Sequence, residues 1–185
     1  MDDEQQRIRA ALGEREALLW SGRPDPRVIF TGADAYLIPF SLFFCAFTVF
    51  IFAGPGYAKG GPFVLVFGVL FGIASLYYLA GRYIYKAVQK RQTAYALTDE
   101  RAIVIIGARR VVSVVLSTHS ADVSRSRNGE HISVRFGQEG SGSGRRPNLY
   151  GNTGLDLLNR SNEQVAFFDV ADPTGLESAL ARSAR

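Results

Sequence analysis

The chain has 185 residues and a formal net charge of +4, room for one ordinary domain and something smaller. The positive charge does not mark a nucleic-acid binder, because the soluble-looking part is nearly neutral: from Gln92 to Arg185 there are 11 Arg against 10 Asp and Glu. One cysteine, Cys45 inside an apolar run, excludes an internal disulfide framework and a cysteine-built zinc site.

The N-terminus, MDDEQQRIRAALGERE, is highly charged and lacks the apolar core of a signal peptide. Ile8, Ala11, Leu12, Leu18 and Leu19 fall at roughly helical spacing, which predicts a helix over 3–19. Gly22, Pro24 and Pro26 keep 20-WSGRPDPRVIF-30 from continuing it. Trp20, beside Arg23 and Arg27, suits either a membrane–water boundary or packing on the C-terminal domain. Residues 1–34 thus read as a cytoplasmic helix and linker.

Two uncharged runs follow, 35–53 with 19 residues and 61–81 with 21. A spanning helix needs about 20 residues, and a chain this small has no core in which to hide two such runs. The Gly- and Pro-rich 54-GPGYAKG-60 makes them a transmembrane helical hairpin. Five Arg precede the runs (Arg7, Arg9, Arg15, Arg23, Arg27), and Arg82, Lys86, Lys90 and Arg91 follow them. The intervening turn holds only Lys59. Nine basic residues against one put both termini in the cytoplasm. Arg82, Lys86, Lys90 and Arg91 read as a juxtamembrane block at the interface, closing a hairpin segment of 35–91. Gly68 and Gly72 form a G-x-x-x-G that serves either the partner helix of the hairpin or a second molecule.

From residue 92 the period becomes two. Strands are predicted at 93–98, 101–106, 111–116, 120–125, 131–136 and 165–170, with a hairpin turn at Asn128-Gly129. The Gly/Ser-rich segment 138–156 reads as a loop in which Leu155 carries no packing role. Asp172 and Pro173 start a terminal helix whose Leu176, Ala179 and Leu180 share a face. Of Phe167 and Phe168 only one can point inward. A small curved sheet or barrel plugged by a helix results, and residues 92–185 are expected to fold alone.

The stretches 18-LLWSGRP-24, 34-DAYLIPFSLFF-44, 93-TAYALTDERAIV-104 and 167-FFDVADPTGLESAL-180, in that order, resemble bacterial membrane proteins carrying a PH-like (pleckstrin-homology-like) domain behind a two-span hairpin. The resemblance implies an α+β membrane protein: a transmembrane hairpin, then a seven-stranded PH-like antiparallel β-barrel at 92–185 capped by a C-terminal α-helix, with no enzymatic activity. The first hairpin turn, Thr98-Asp99-Glu100-Arg101, carries two acids and one base, so no lipid-headgroup residues are carried over. Arg109 and Arg110 on the next turn read as solvated or as touching anionic lipid. His119, Asp122, Ser124 and His131 match no catalytic or metal-ligand spacing, and no catalytic residue, cofactor or metal is expected.

The function expected is a membrane-anchored module that binds a protein or peptide at the cytoplasmic face of a bacterial inner membrane. The alternative is a structural subunit that self-associates through its hairpin. The partners expected are the lipid bilayer and an unidentified protein, with a homo-oligomer left open and no nucleic acid.

Overall fold

The structure is a computed structural model and describes residues 3–53, 61–107, 110–126, 128–138, 152–155 and 165–183. The expected turn 54–60, Arg109 and most of the 138–156 loop lie outside them. The chain is α+β and divides into two units. One contains residues 1–28, 87–148 and 159–185; the other contains 29–86 and 149–158.

The first unit holds two antiparallel sheets. β1 (Leu18–Gly22), β2 (Thr93–Thr98), β3 (Arg101–Ile106) and β4 (Arg110–Val115) form one, in that order; β5 (His119–Arg125), β6 (Ile132–Gln138) and β7 (Ala166–Val170) form the other. The expected closed barrel is therefore not formed. Between β4 and β5 a 3-10 turn at Leu116–Thr118 redirects the chain, and among the described residues each of these strands has a single neighbour. On the opposite side a lone bridge between Pro24 and Val170 links the end of β1 to β7.

β1 corrects the predicted helix over 3–19. The helix α1 stops at Asp3–Ala11, and Leu18–Gly22 pairs with β2, Ser21 opposite Ala96 and Gly22 opposite Tyr95. The boundary expected at residue 92 moves accordingly, since a strand from before the apolar runs completes the first sheet. Both faces of β2 are buried. Tyr95 and Leu97 face a core with Val104, Ile132, Val134, Phe136 and Phe167. Ala94 and Ala96 face the other way with Ile103 and Ile105, small enough to admit α1, whose Ile8 is buried there. Arg101, paired with Glu16 at 2.6 Å and donating to Ala11 O, holds the segment after α1.

The helix α5 (Pro173–Ser183) buries Leu176 and Ala179 in the core, with Leu180 partly covered. Asp172 caps it by accepting from Gly175 N at 3.0 Å, and a Cβ at Gly175 would displace that carboxylate from its capping position. Phe167 is the inward member of the Phe pair.

The second unit holds an antiparallel pair of apolar helices, α2 (Asp34–Ala53) and α3 (Gly61–Leu76). Both are long and apolar enough to cross a membrane when α3 is followed through its continuation to Gln92. Ser75 Oγ donates to Thr48 Oγ1 at 2.9 Å, and the Ser41 hydroxyl is shared between Leu37 O and Tyr78 O. These bonds bury the few polar side chains between the helices. Gly68 faces Phe52 of α2, whereas a Cβ at Gly72 would meet nothing within 4 Å. After α3 a π-helical turn, Tyr77–Gly81, brings Arg82 N to Tyr77 O. Its extra residue shifts the phase of α4 (Arg82–Gln92) by about 100° relative to an unbroken α-helix. The described part of the Gly/Ser-rich loop, 152–155, belongs to this unit, and Leu155 is buried, against expectation.

Residues 92–185 alone lack β1, and we expect them not to fold cooperatively. A chain in which a short Gly/Ser linker replaces 29–86 should fold in water, because Val28 O lies 2.7 Å from Lys90 Nζ and the cut ends are close. Thermal unfolding by circular dichroism checks both; a cooperative transition for 92–185 alone contradicts the assignment of β1.

Candidate functional site: the buried cations of α4 and the open strand edge

Arg82, Lys86 and Lys90 recur every four residues and so lie on one face of α4. Their place behind an apolar run predicts a membrane-interface block together with Arg91. The structure leaves only Arg91 exposed and buries the other three. A buried cation must find oxygen, and each does.

In the second unit Arg82 is 1% exposed, and its Nη1 lies 2.8 Å from Asp34 Oδ1. Its Nη2 donates to Tyr83 Oη at 2.5 Å, while Nε and Nη1 make no hydrogen bond, the Nη1 contact with Asp34 being an ion pair by distance. Asp34, in the first turn of α2, accepts from Thr31 N at 2.6 Å and from the Thr31 hydroxyl at 3.0 Å. That is one half of a capping box, placing a carboxylate at a helix N-terminus. Lys86, 3% exposed, donates to Ile29 O at 2.6 Å. Tyr77 Oη donates to Gly154 O at 2.5 Å, and Gly154, with φ +82°, presses against the Arg82 carbonyl where a Cβ would not fit.

In the first unit Lys90 Nζ donates to Val28 O at 2.7 Å, to Asp25 O at 3.3 Å and to Asp169 Oδ2 at 2.5 Å. Asp169 reaches it through a bulge. The β6–β7 register shifts between Ile132 and Val134, and Asp169 sits at φ +51°, a left-handed conformation that Asp tolerates better than most residues. Its N–H is held by Ser133 Oγ at 3.0 Å, and its carbonyl accepts from Asp25 N at 2.9 Å. The Arg27 N–H, and after it the His131 ring at 3.0 Å, hold the Asp25 carboxyl below the usual carboxylate range. The turn Asp25–Val28 is thereby gripped from α4, β6 and β7.

Trp20 stands in β1 with its ring 6.0 Å from that of Phe167, and its indole donates to Asp172 at 3.2 Å. It packs within the domain. The signal for the inward cations was in the sequence: Arg82, Lys86 and Lys90 share one helix face, while Ile84 and Val88 share the opposite face and are exposed.

A second feature is β5. Its described side chains from Ser120 to Arg125 are all exposed, Asp122 and Ser124 among them. Val123 pairs with Val134, which is buried in the core, yet Val123 is 43% exposed. Among the described residues, the core-facing row of β5 is thus open beside an edge that pairs with no other strand. Arg125 binds Glu177 of α5 at 2.6 Å across the end of this strand.

Comparison with known proteins gives no matching family model, no matching curated protein and no matching solved structure.

Breaking a buried pair by removing one partner costs about 3–5 kcal/mol. Lys90→Met, which takes the ammonium away from Asp169 and from two carbonyls, should therefore lower the thermal midpoint of the full chain in detergent steeply. Asp169→Asn, which keeps a residue tolerant of φ +51°, should cost less than Asp169→Ala. Equal melting of Asn and Ala variants would contradict the strained bulge.

Asp25 binds protons less readily folded than unfolded, so its contribution is present above its unfolded value of about 3.9 and lost as pH falls through the depressed folded value. His131→Phe removes one cause of that depression. The acid-unfolding midpoint of this variant should move to higher pH than that of the parent chain; an unchanged midpoint would remove His131 from the clamp.

Proposed function

We propose that the chain is a membrane-anchored, non-enzymatic PH-like module that presents a protein- or peptide-binding domain at the cytoplasmic face of a bacterial inner membrane. The open edge of β5 carries the binding half of this reading. A strand with one neighbour offers an unpaired row of N–H and C=O groups, and an extended peptide satisfies such a row. The exposed Val123 beside that edge offers an apolar seat for an alternate side chain of the peptide.

The anchoring half is supported by two helices of spanning length and composition. β1 precedes them, β2 follows them, and the two strands are hydrogen-bonded. A chain that crosses twice between paired strands returns to the side it left. The excess of basic residues flanking the hairpin supports the cytoplasm as that side. What supports the PH-like part of the reading is coarser: two antiparallel sheets followed by a helix, without the closed barrel.

A photoreactive residue at position 123 of the full chain in cells should give adducts with another protein, and Ser124→Pro, which disrupts the edge strand, should abolish them. Adducts with a second copy alone would favour the structural-subunit reading, in which the outward Gly72 leaves a notch for a neighbouring helix. Cysteines at Tyr57 and Arg91 report the topology: external labelling should reach 57 and not 91.

A further inference from the structure

The polarity of the segment around Arg82 is inside out. Asp34, Arg82 and Lys86 are turned inward and buried, each 3% exposed or less, while Phe30, Tyr36 and Ile84 are 66%, 82% and 67% exposed. Phe30 packs its ring 5.4 Å from that of Tyr83, leaving its other face outward. In water the long side chains of Arg and Lys carry their charged heads to the solvent and lay their stems over apolar surface. Here the charged heads avoid the surroundings and the apolar groups meet them. That is the arrangement of a segment whose surroundings are themselves apolar or interfacial.

The outward face is also continuous with the exposed apolar surface of the helix before it. Ile73, Leu76 and Leu79 are exposed on the way to Ile84, and Phe40 and Phe43 follow Tyr36 along α2. Ile84 lies three residues past Gly81, about 4–5 Å along a helix. Each interfacial layer of a bilayer is about 5–8 Å deep. The π turn contributes by setting the phase of α4, which directs Arg82 to Asp34 and Ile84 outward.

We propose that the lipid-contacting surface of this chain extends beyond its uncharged runs, to a collar of Phe30, Tyr36 and Ile84 that sits in the lipid headgroup–acyl boundary. Asp34, Arg82 and Lys86 then lie inside that collar, sealed from lipid, with the Asp34 carboxylate against the Arg82 guanidinium and the Lys86 ammonium held by the Ile29 carbonyl. This rests on the reading of α2 and α3 as membrane helices. The partner is the lipid surface itself, recognised through apolar and aromatic contacts and not through the basic residues that the sequence places there.

The test uses the full chain with Cys45→Ala, reconstituted in vesicles of zwitterionic and anionic phospholipid, with single cysteines carrying a nitroxide label at Phe43, Phe30, Ile84 or Arg91. Relaxation of the label by oxygen, which concentrates in lipid, is compared with relaxation by a water-soluble nickel chelate. The collar predicts that labels at 30 and 84 share the oxygen preference of 43 and depart from 91. If 43 prefers oxygen while 30 or 84 matches 91, the collar is overturned and the membrane helices stand. If 43 also matches 91, the membrane reading itself fails. Shielding of 30 and 84 from both reagents places them under protein and overturns the collar too. A second measurement does not depend on nitroxide attachment. Ile84→Trp with Trp20→Phe should be quenched by lipids brominated near the glycerol, and no quenching overturns the collar.

Discussion

The pairing of β1 with β2 constrains the rest of the structure. The two strands are neighbours in one sheet but are separated in sequence by both apolar helices. A domain built this way cannot complete its first sheet until both helices have been made and the chain has come back. An even number of crossings is then a geometric necessity for any membrane reading, independent of charge counting. It also explains why the residues just outside the helices are so heavily bonded. The points where the chain leaves and re-enters the domain must be held together without help from the sheet.

The cations of α4 provide that hold. Within the domain, Lys90 ties the last turns of α4 to the Asp25–Val28 turn and to the β7 bulge. Within the helical unit, Arg82 and Lys86 tie the first two turns of α4 to Asp34 and Ile29. Removing a charge from water is expensive, so these residues make sense only with their oxygens in place. Such contacts favour one arrangement strongly over misregistered ones, because a slip of the helix would leave a buried charge unpaired. The αL conformation of Asp169 is a local cost consistent with that priority.

Much of the fold could be read from residue patterns. The two apolar runs, the alternation of β2 and β3, the Asn128-Gly129 turn and the Asp172-Pro173 start of α5 are local signals, and each appears where the pattern put it. What escaped was non-local. Leu18–Gly22 is a strand because β2 lies beside it, and its own residues fit the helical spacing of α1 as readily. Arg82, Lys86 and Lys90 after an apolar run carry the ordinary mark of a juxtamembrane block. Their burial depends on Asp34, Asp25 and Asp169, which no local window contains. Leu155 lies in a Gly/Ser-rich stretch with no periodicity, yet its burial follows from the Asn152–Leu155 turn, where Asn152 and Gly154 both take positive φ. The closed barrel failed for a similar reason, since six regular strands do not reveal whether β4 and β5 will pair.

The central claim, a domain interrupted by a two-helix insertion, is tested most directly by a cross-link across the interruption. Ser21 and Ala96 are opposed in the β1–β2 pair. In a full chain with Cys45→Ala, cysteines at both positions should oxidise within one molecule, giving a faster-migrating band that reductant reverses. A pair that stays reduced under oxidant, or links only between molecules, would contradict the pairing and the inserted hairpin with it.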